Sequence, residues 1–128
     1  MASDGALTFF LEAERDPPEL VEVQRRHIVQ FQGLALFEEF PIPILVFNRR
    51  RQIVFINQRG RLFLSDPQKS PYGQRLGEAF GCIHAKDGEG GCGTSRFCRY
   101  CGAARGIAGA LAGALNTQTC KIDRTLET

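Results

Sequence analysis

An excess of charge of either sign is missing from this chain of 128 residues, since 16 basic and 14 acidic residues leave a formal net charge of only +2. So small a net charge is no argument for a nucleic-acid partner. No apolar stretch reaches the roughly 18–20 residues that a membrane span requires. The start of the chain lacks the basic region and the long apolar core of a secretory signal peptide. These absences predict a cytoplasmic protein that binds neither nucleic acid nor membranes.

Cysteine, in contrast, is concentrated in one place, because four of the five cysteines fall within twenty residues. They are Cys82, Cys92, Cys98 and Cys101, and His84 lies beside the first of them. Thiolates bind soft or borderline metals strongly, and four of them complete a tetrahedral zinc shell or hold an iron–sulfur cluster. An odd cysteine count in a chain without a leader also favours a reducing compartment. We therefore predict a metal site of these four cysteines, with His84 as a reserve ligand.

The identity of the metal stays open at this point. The closing pair, Cys98 and Cys101, forms a C-x-x-C-G knuckle, which is common in zinc sites. The uneven spacing of nine, five and two intervening residues is less typical of a two-knuckle zinc ribbon. A third possibility is a reversible dithiol of Cys98 and Cys101 without metal, which would leave Cys82 and Cys92 unexplained. No H-x-E or H-E-x-x-H pattern of a zinc enzyme occurs, so we predict no enzyme activity.

Apolar patterning predicts an α+β chain with an antiparallel sheet and helices on one side of it. An amphipathic helix over 17–40 is followed by two apolar runs, 42–47 and 53–57, which a polar turn joins into a hairpin. Alanine and leucine predict a further helix over 97–115. Alternation over 118–124 predicts a third strand, which makes Cys120 a buried core thiol or, alternatively, a fifth ligand or redox partner.

The first predicted helix carries an apolar stripe with spacings near 3.5 residues, formed by Val21, Ile28, Phe31 and Ala35. Such a stripe suits a two-helix seam between the protomers of a dimer. It suits packing on its own domain equally well. Both interpretations stay open.

Several segments resemble bacterial PAS sensor domains. The sequence LFEEFPIPILVFN at 36–48 is similar to their entry helix and first strand, and IVFIN at 53–57 to their second strand with its terminal asparagine. The sequence GQRLGEAF at 73–80 is similar to the glycine-led segment before their long helix. The cysteine-bearing block at 81–103 resembles an insert in a subset of bacterial signalling PAS domains.

The resemblance covers about residues 36–124 and implies a PAS-like antiparallel sheet flanked by helices. Residues 1–35 would then be an arm and a dimerisation-type helix, and 36–128 a PAS-like domain with a metal-binding insert at 81–102. The chain has room for about three of the usual five strands, so that either the sequence is a piece of a longer one or a partner chain completes the sheet. Because an open sheet edge promotes association, we expect a homodimer through the helix 17–40, the sheet edge or both.

The function that the resemblance implies is signal transduction. A [4Fe-4S] or [2Fe-2S] cluster would sense oxygen or redox state and pass the signal to an output domain or partner protein. The alternative is a dimerisation or protein-interaction module with a structural zinc site. The expected ligands are the same in both cases: Cys82, Cys92, Cys98 and Cys101, with His84.

Overall fold

The computed structural model describes residues 8, 10–86, 90–119, 122 and 124. These residues form five α-helices, two 3-10 helices and one two-stranded antiparallel sheet, which confirms the predicted α+β class. The chain divides into two compact units, which we call the hairpin unit (Arg15–Gln74) and the cysteine unit (Met1–Glu14 with Arg75–Thr128). The domain limits predicted from sequence, 1–35 and 36–128, stay a prediction.

The hairpin unit contains three helices and both strands, namely α1 (Pro18–Val29), α2 (Leu34–Glu39), β1 (Leu45–Phe47), β2 (Ile53–Ile56) and α3 (Gln58–Arg61). The predicted hairpin is confirmed, with Leu45 opposite Ile56 and a register shift after Val46. Its turn is held by the side chain of Asn48, whose Oδ1 accepts the N–H groups of Arg50 at 2.9 Å and Gln52 at 3.0 Å. All of β2 is buried, so this strand supplies the core of the unit.

The prediction of one helix over 17–40 is wrong, because α1 ends at Val29 and α2 begins only at Leu34. A glycine inside a helix costs about 1 kcal/mol relative to alanine, and here Gly33 also makes room for an aromatic ring. A Cβ atom on Gly33 would lie 3.0 Å from the ring of Phe31, which stacks on Phe37 at 6.4 Å. The apolar stripe is therefore not carried by one continuous helix, since Val21 lies buried on α1 and Phe31 lies exposed in the break before α2. The two interpretations, a dimer seam and packing on its own domain, both stay open.

The sheet of the described residues has two strands instead of the expected three or so. In the segment predicted as the third strand, Arg124 forms a single bridge with Cys82. Cys120 lies outside the described residues, so its predicted role stays a prediction. The outer edge of β2 is covered in part by the end of the hairpin unit: the Ile53 N–H donates to the Gln74 carbonyl at 2.8 Å, and the Gly73 N–H to the Ile53 carbonyl at 3.0 Å.

The cysteine unit is built from short helical elements: α4 (Leu76–Phe80), the 3-10 helices Ile83–Lys86 and Arg96–Tyr100, and α5 (Gly102–Leu111). The helix predicted over 97–115 is therefore split, with its first turn in 3-10 geometry and its end at Leu111. Within the described part of the chain, no helix combines the length and the apolar character needed to cross a membrane.

Asn57, at the end of β2, is fully buried and satisfies backbone groups from three directions. Its Oδ1 accepts the N–H groups of Ile44 and Gly60, each at 2.9 Å. Its Nδ2 donates to the carbonyls of Phe37 at 2.9 Å and Ile42 at 2.8 Å. One side chain thus joins the end of α2, the entry to β1 and the first turn of α3.

Replacing Asn57 by alanine should destabilise the protein by about 2–4 kcal/mol, because it removes a helix cap and four hydrogen bonds to backbone groups. The measurement is the free energy of unfolding in urea. Gln58→Ala, at the neighbouring exposed position, is the control and should change stability by less than about 0.5 kcal/mol. Equal effects of the two variants would contradict the role given to Asn57.

Candidate metal centre

The four clustered cysteines are carried by four different parts of the cysteine unit. Cys82 follows the left-handed residue Gly81 that ends α4, and Cys92 lies in the segment between the two 3-10 helices. Cys98 is on the second 3-10 helix, and Cys101 is the N-cap residue of α5. All four are thiols with no disulfide between them.

Cys82 and Cys92 meet at Gly77, in the first turn of α4. The Gly77 N–H donates to the Cys92 Sγ at 3.3 Å, and its carbonyl accepts the Cys82 N–H at 2.7 Å. A Cβ atom on Gly77 would lie 2.9 Å from the Cys92 Sγ and 3.1 Å from the Cys82 Cβ. No side chain fits between these atoms, so this close approach requires glycine.

Cys98 and Cys101 form the turn that the C-x-x-C spacing predicts. The Cys101 N–H donates to the Cys98 carbonyl at 3.0 Å, and the Cys98 side chain is buried. Backbone N–H groups of Ser95 and Gly93 point at the Cys98 sulfur. Gly93 has φ of 92°, in the left-handed region that suits glycine.

Electrostatic interaction links all four thiols. The pKa of Cys92 is raised to about 12, chiefly by burial; the Gly77 N–H opposes this increase, and the negative charges of Glu78, Cys98 and Cys82 contribute to it. Burial also raises the pKa of Cys98, against the N–H groups of Ser95 and Gly93, and the charges of Cys101 and Cys82 add to the increase. Cys92 and Cys98 are therefore neutral thiols at neutral pH unless a cation is present.

The donor set fits a thiophilic metal, but the sulfur atoms are not assembled into a coordination shell. Among residues 8, 10–86, 90–119, 122 and 124, no group of three or more Cys, His, Asp or Glu side chains could hold a metal ion as they stand. His84 is half-buried on the 3-10 helix that follows Cys82. The assignment of the four cysteines and His84 as ligands stays a prediction, and binding would require the sulfurs to move closer together.

Two residues that sequence analysis missed support the segment around Cys92. Arg75 is only 1% exposed, and its Nη1 donates to the Gly90 carbonyl at 3.0 Å. Glu78 accepts the Arg75 N–H on Oε1 at 2.9 Å and the Cys92 N–H on Oε2 at 3.2 Å. The sequence signature of a helix start is Ser, Thr, Asp or Asn followed three positions later by Glu or Gln. Arg75 is not one of these residues, so the signature pointed neither to Glu78 nor to its contact with Cys92.

Comparison with known proteins gives no relative that would test these assignments. No protein-family model matches the chain, and no curated protein and no solved structure matches it. The likeness to PAS domains therefore rests on the residues quoted for it and stays a prediction.

Replacing Gly77 by alanine should destabilise the metal-free protein by about 1–3 kcal/mol, because the new methyl group overlaps the Cys92 sulfur. Gly106→Ala is the matched control, since Gly106 is also in a helix but the nearest atoms to its Cβ position lie at 3.4 Å. There the substitution should stabilise by up to about 1 kcal/mol. Unfolding in urea under reducing conditions measures both, and effects of the same sign would contradict the packing described for Gly77.

Proposed function

We propose that this chain is a metal-binding sensory domain of PAS type that holds an iron–sulfur cluster on Cys82, Cys92, Cys98 and Cys101. The observation that supports the proposal most is the direction of backbone N–H groups at two clustered sulfurs, from Gly77 to Cys92 and from Gly93 and Ser95 to Cys98. Such N–H groups stabilise sulfur that carries negative charge, which is the state of a metal-bound cysteine.

Several cysteines can be buried as thiolates only when a bound cation neutralises their charge. Without one, burial keeps Cys92 and Cys98 protonated. A bound metal replaces those protons and neutralises the charge, so that its binding free energy also stabilises the fold. The cysteine unit has short helices and long connecting segments, and it belongs to the kind of structure that gains most from such a site.

A redox-active dithiol is less consistent with the same arrangement. A nucleophilic cysteine has a lowered pKa, whereas burial raises the pKa of Cys98. A dithiol of Cys98 and Cys101 would also leave the contact between Cys92 and Gly77 without a role. We therefore propose binding and signalling rather than catalysis.

Iron–sulfur and zinc sites differ in what they would do for the protein. A bound cluster supplies a redox couple whose potential depends on N–H···S bonds and solvent exposure, which suits the sensing of oxygen or redox state. Zinc is redox-silent and would leave the domain as an interaction module with a structural site. The proposal places the protein in the cytoplasm, where thiols remain reduced.

Anaerobic purification should give a coloured protein that contains iron and sulfide and loses its visible absorption in air. Elemental analysis and the absorption spectrum are the measurements. Cys92→Ser and Cys101→Ser should each lower metal affinity by about tenfold or more, whereas Cys120→Ser, outside the proposed ligand set, is the control. A colourless protein with one zinc per chain would support the alternative, and unchanged metal content in Cys92→Ser would contradict the four-cysteine site.

Homodimerisation is a second candidate function that a specific observation favours. The hairpin unit exposes large apolar side chains along α2 and the segments beside it, with 66% of Leu36, 61% of Phe31 and 55% of Ile42 accessible. Exposed apolar residues in such density are typical of interaction surfaces. We propose that a second copy of the chain covers these side chains. The dimer would then form through this surface instead of through the single long helix that sequence analysis expected. We also propose that an output domain or partner protein binds the dimer.

Leu36→Glu should shift the protein from dimer to monomer, because it places a charge among the apolar residues of that surface. Light scattering after size-exclusion chromatography measures the mass directly. Leu115→Glu is the control, since Leu115 is an exposed leucine too but lies in the cysteine unit. A monomeric wild-type protein, or a Leu36→Glu dimer as stable as the wild type, would contradict dimerisation through this surface.

A further inference from the structure

Two segments of the cysteine unit that are far apart in sequence are hydrogen-bonded to each other. We call residues 11–14 the strap and residues 90–95 the cysteine loop. The Leu11 N–H of the strap donates to the Gly93 carbonyl of the cysteine loop at 3.0 Å. This bond joins the strap to the residue directly after Cys92.

A second connection between the two segments runs through Arg75. Its Nη2 donates to the strap carbonyls of Ala13 at 3.2 Å and Glu14 at 2.6 Å, while its Nη1 donates to the Gly90 carbonyl at 3.0 Å. The guanidinium is almost completely buried. Hydrogen bonds from a charged donor are stronger than neutral ones, and a planar guanidinium directs them in fixed directions. Arg75 therefore fixes the distance between the strap and the cysteine loop.

The cysteine loop itself leaves little freedom for Cys92 to move alone. A Cβ atom on Gly90 would lie 2.7 Å from the Thr94 side chain, and the Thr94 hydroxyl donates to the Gly91 carbonyl at 2.7 Å. Both anchors of the strap, Gly90 and Gly93, flank Cys92 within this tightly packed turn. A displacement of Cys92 therefore also displaces the carbonyl groups of Gly90 and Gly93.

We propose that Arg75 is a positioning residue which couples the strap to Cys92, so that metal binding at the cysteines and closure of the strap stabilise each other. The inference rests on the proposed metal site and assigns a regulation to it. A metal bound to Cys92 holds the cysteine loop in its present position while the other sulfurs approach Cys92, so that the Gly93 and Gly90 carbonyls stay in place to accept the bonds from Leu11 and Arg75. By thermodynamic linkage, a closed strap raises the metal affinity by the same factor. The presence or absence of bound metal thereby affects how firmly the strap is held.

Hydrogen exchange of the Leu11 amide tests this coupling, because that amide donates directly to the cysteine loop. In the reduced chain of 128 residues, addition of zinc should slow its exchange by about tenfold, within the range usual for coupled sites. The Val21 amide, which donates to the Pro17 carbonyl in the hairpin unit, serves as the internal reference and should not change. Mass spectrometry of the intact protein counts the bound zinc in the same sample.

Two substitutions test the coupling in the opposite direction. Arg75→Gln should lower zinc affinity by about tenfold and speed hydrogen exchange at Leu11. Arg75→Lys should restore part of both, since lysine keeps the charge but cannot donate to all three carbonyls in the geometry of a guanidinium. Leu11→Pro removes the N–H that donates to Gly93 and leaves Arg75 intact, so it remains informative if Arg75→Gln does not fold. Phe10→Pro is its control, because the Phe10 N–H donates only within the arm, to the Thr8 hydroxyl at 3.4 Å.

The outcomes separate the inference from the function on which it rests. Slower Leu11 exchange with zinc, together with weaker zinc binding in Leu11→Pro than in Phe10→Pro, supports the coupling. Zinc that binds while Leu11 exchange and the affinity of Leu11→Pro stay unchanged would overturn the coupling and leave the metal site standing. Failure of both zinc and iron to bind would overturn both.

Discussion

The buried guanidinium of Arg75 is the interaction on which the cysteine unit depends. A charge in the interior is tolerated only when hydrogen bonds replace its hydration. Here the main chain supplies them, through carbonyls at residues 13 and 14 and at Gly90. The backbone of Arg75 meanwhile starts α4 with Glu78, whose second oxygen holds Cys92. One residue thus connects an arm, a helix start and a loop that contributes a cysteine.

The hairpin unit shows the same principle with a neutral side chain. Asn57 uses both its amide oxygen and its amide nitrogen to bond backbone groups at the end of α2, before β1 and in the first turn of α3. Short elements leave many such groups at their ends, and buried N–H and carbonyl groups must find partners. Among the described residues the sheet has two strands and the α-helices span 4 to 12 residues. Buried polar side chains therefore satisfy many backbone groups that longer strands and helices would pair with each other.

The difference between contacts within a short segment and contacts between distant segments explains which predictions succeeded. The hairpin was predictable because two apolar β-branched runs flank a polar turn, and the C-x-x-C turn because its spacing is local. The break after Val29 was not, because the apolar period continues through it and the competing interaction is the packing of the Phe31 ring over Gly33. A pattern of residue types contains no information on such a ring position. The third strand, predicted over 118–124, is described only in part, with one bridge between Arg124 and Cys82. Alternation signals a half-buried strand without showing what it pairs with.

The candidate site divides in the same way. The sequence by itself determined that four thiols would lie in one short stretch and that two of them would share a turn. Only the tertiary structure decided that Gly77 stands between Cys82 and Cys92, and that Arg75 joins Gly90 to a segment more than sixty residues earlier. Spacing along the chain controls contacts within a turn, whereas contacts between distant segments depend on which buried polar groups find each other when the chain is compact.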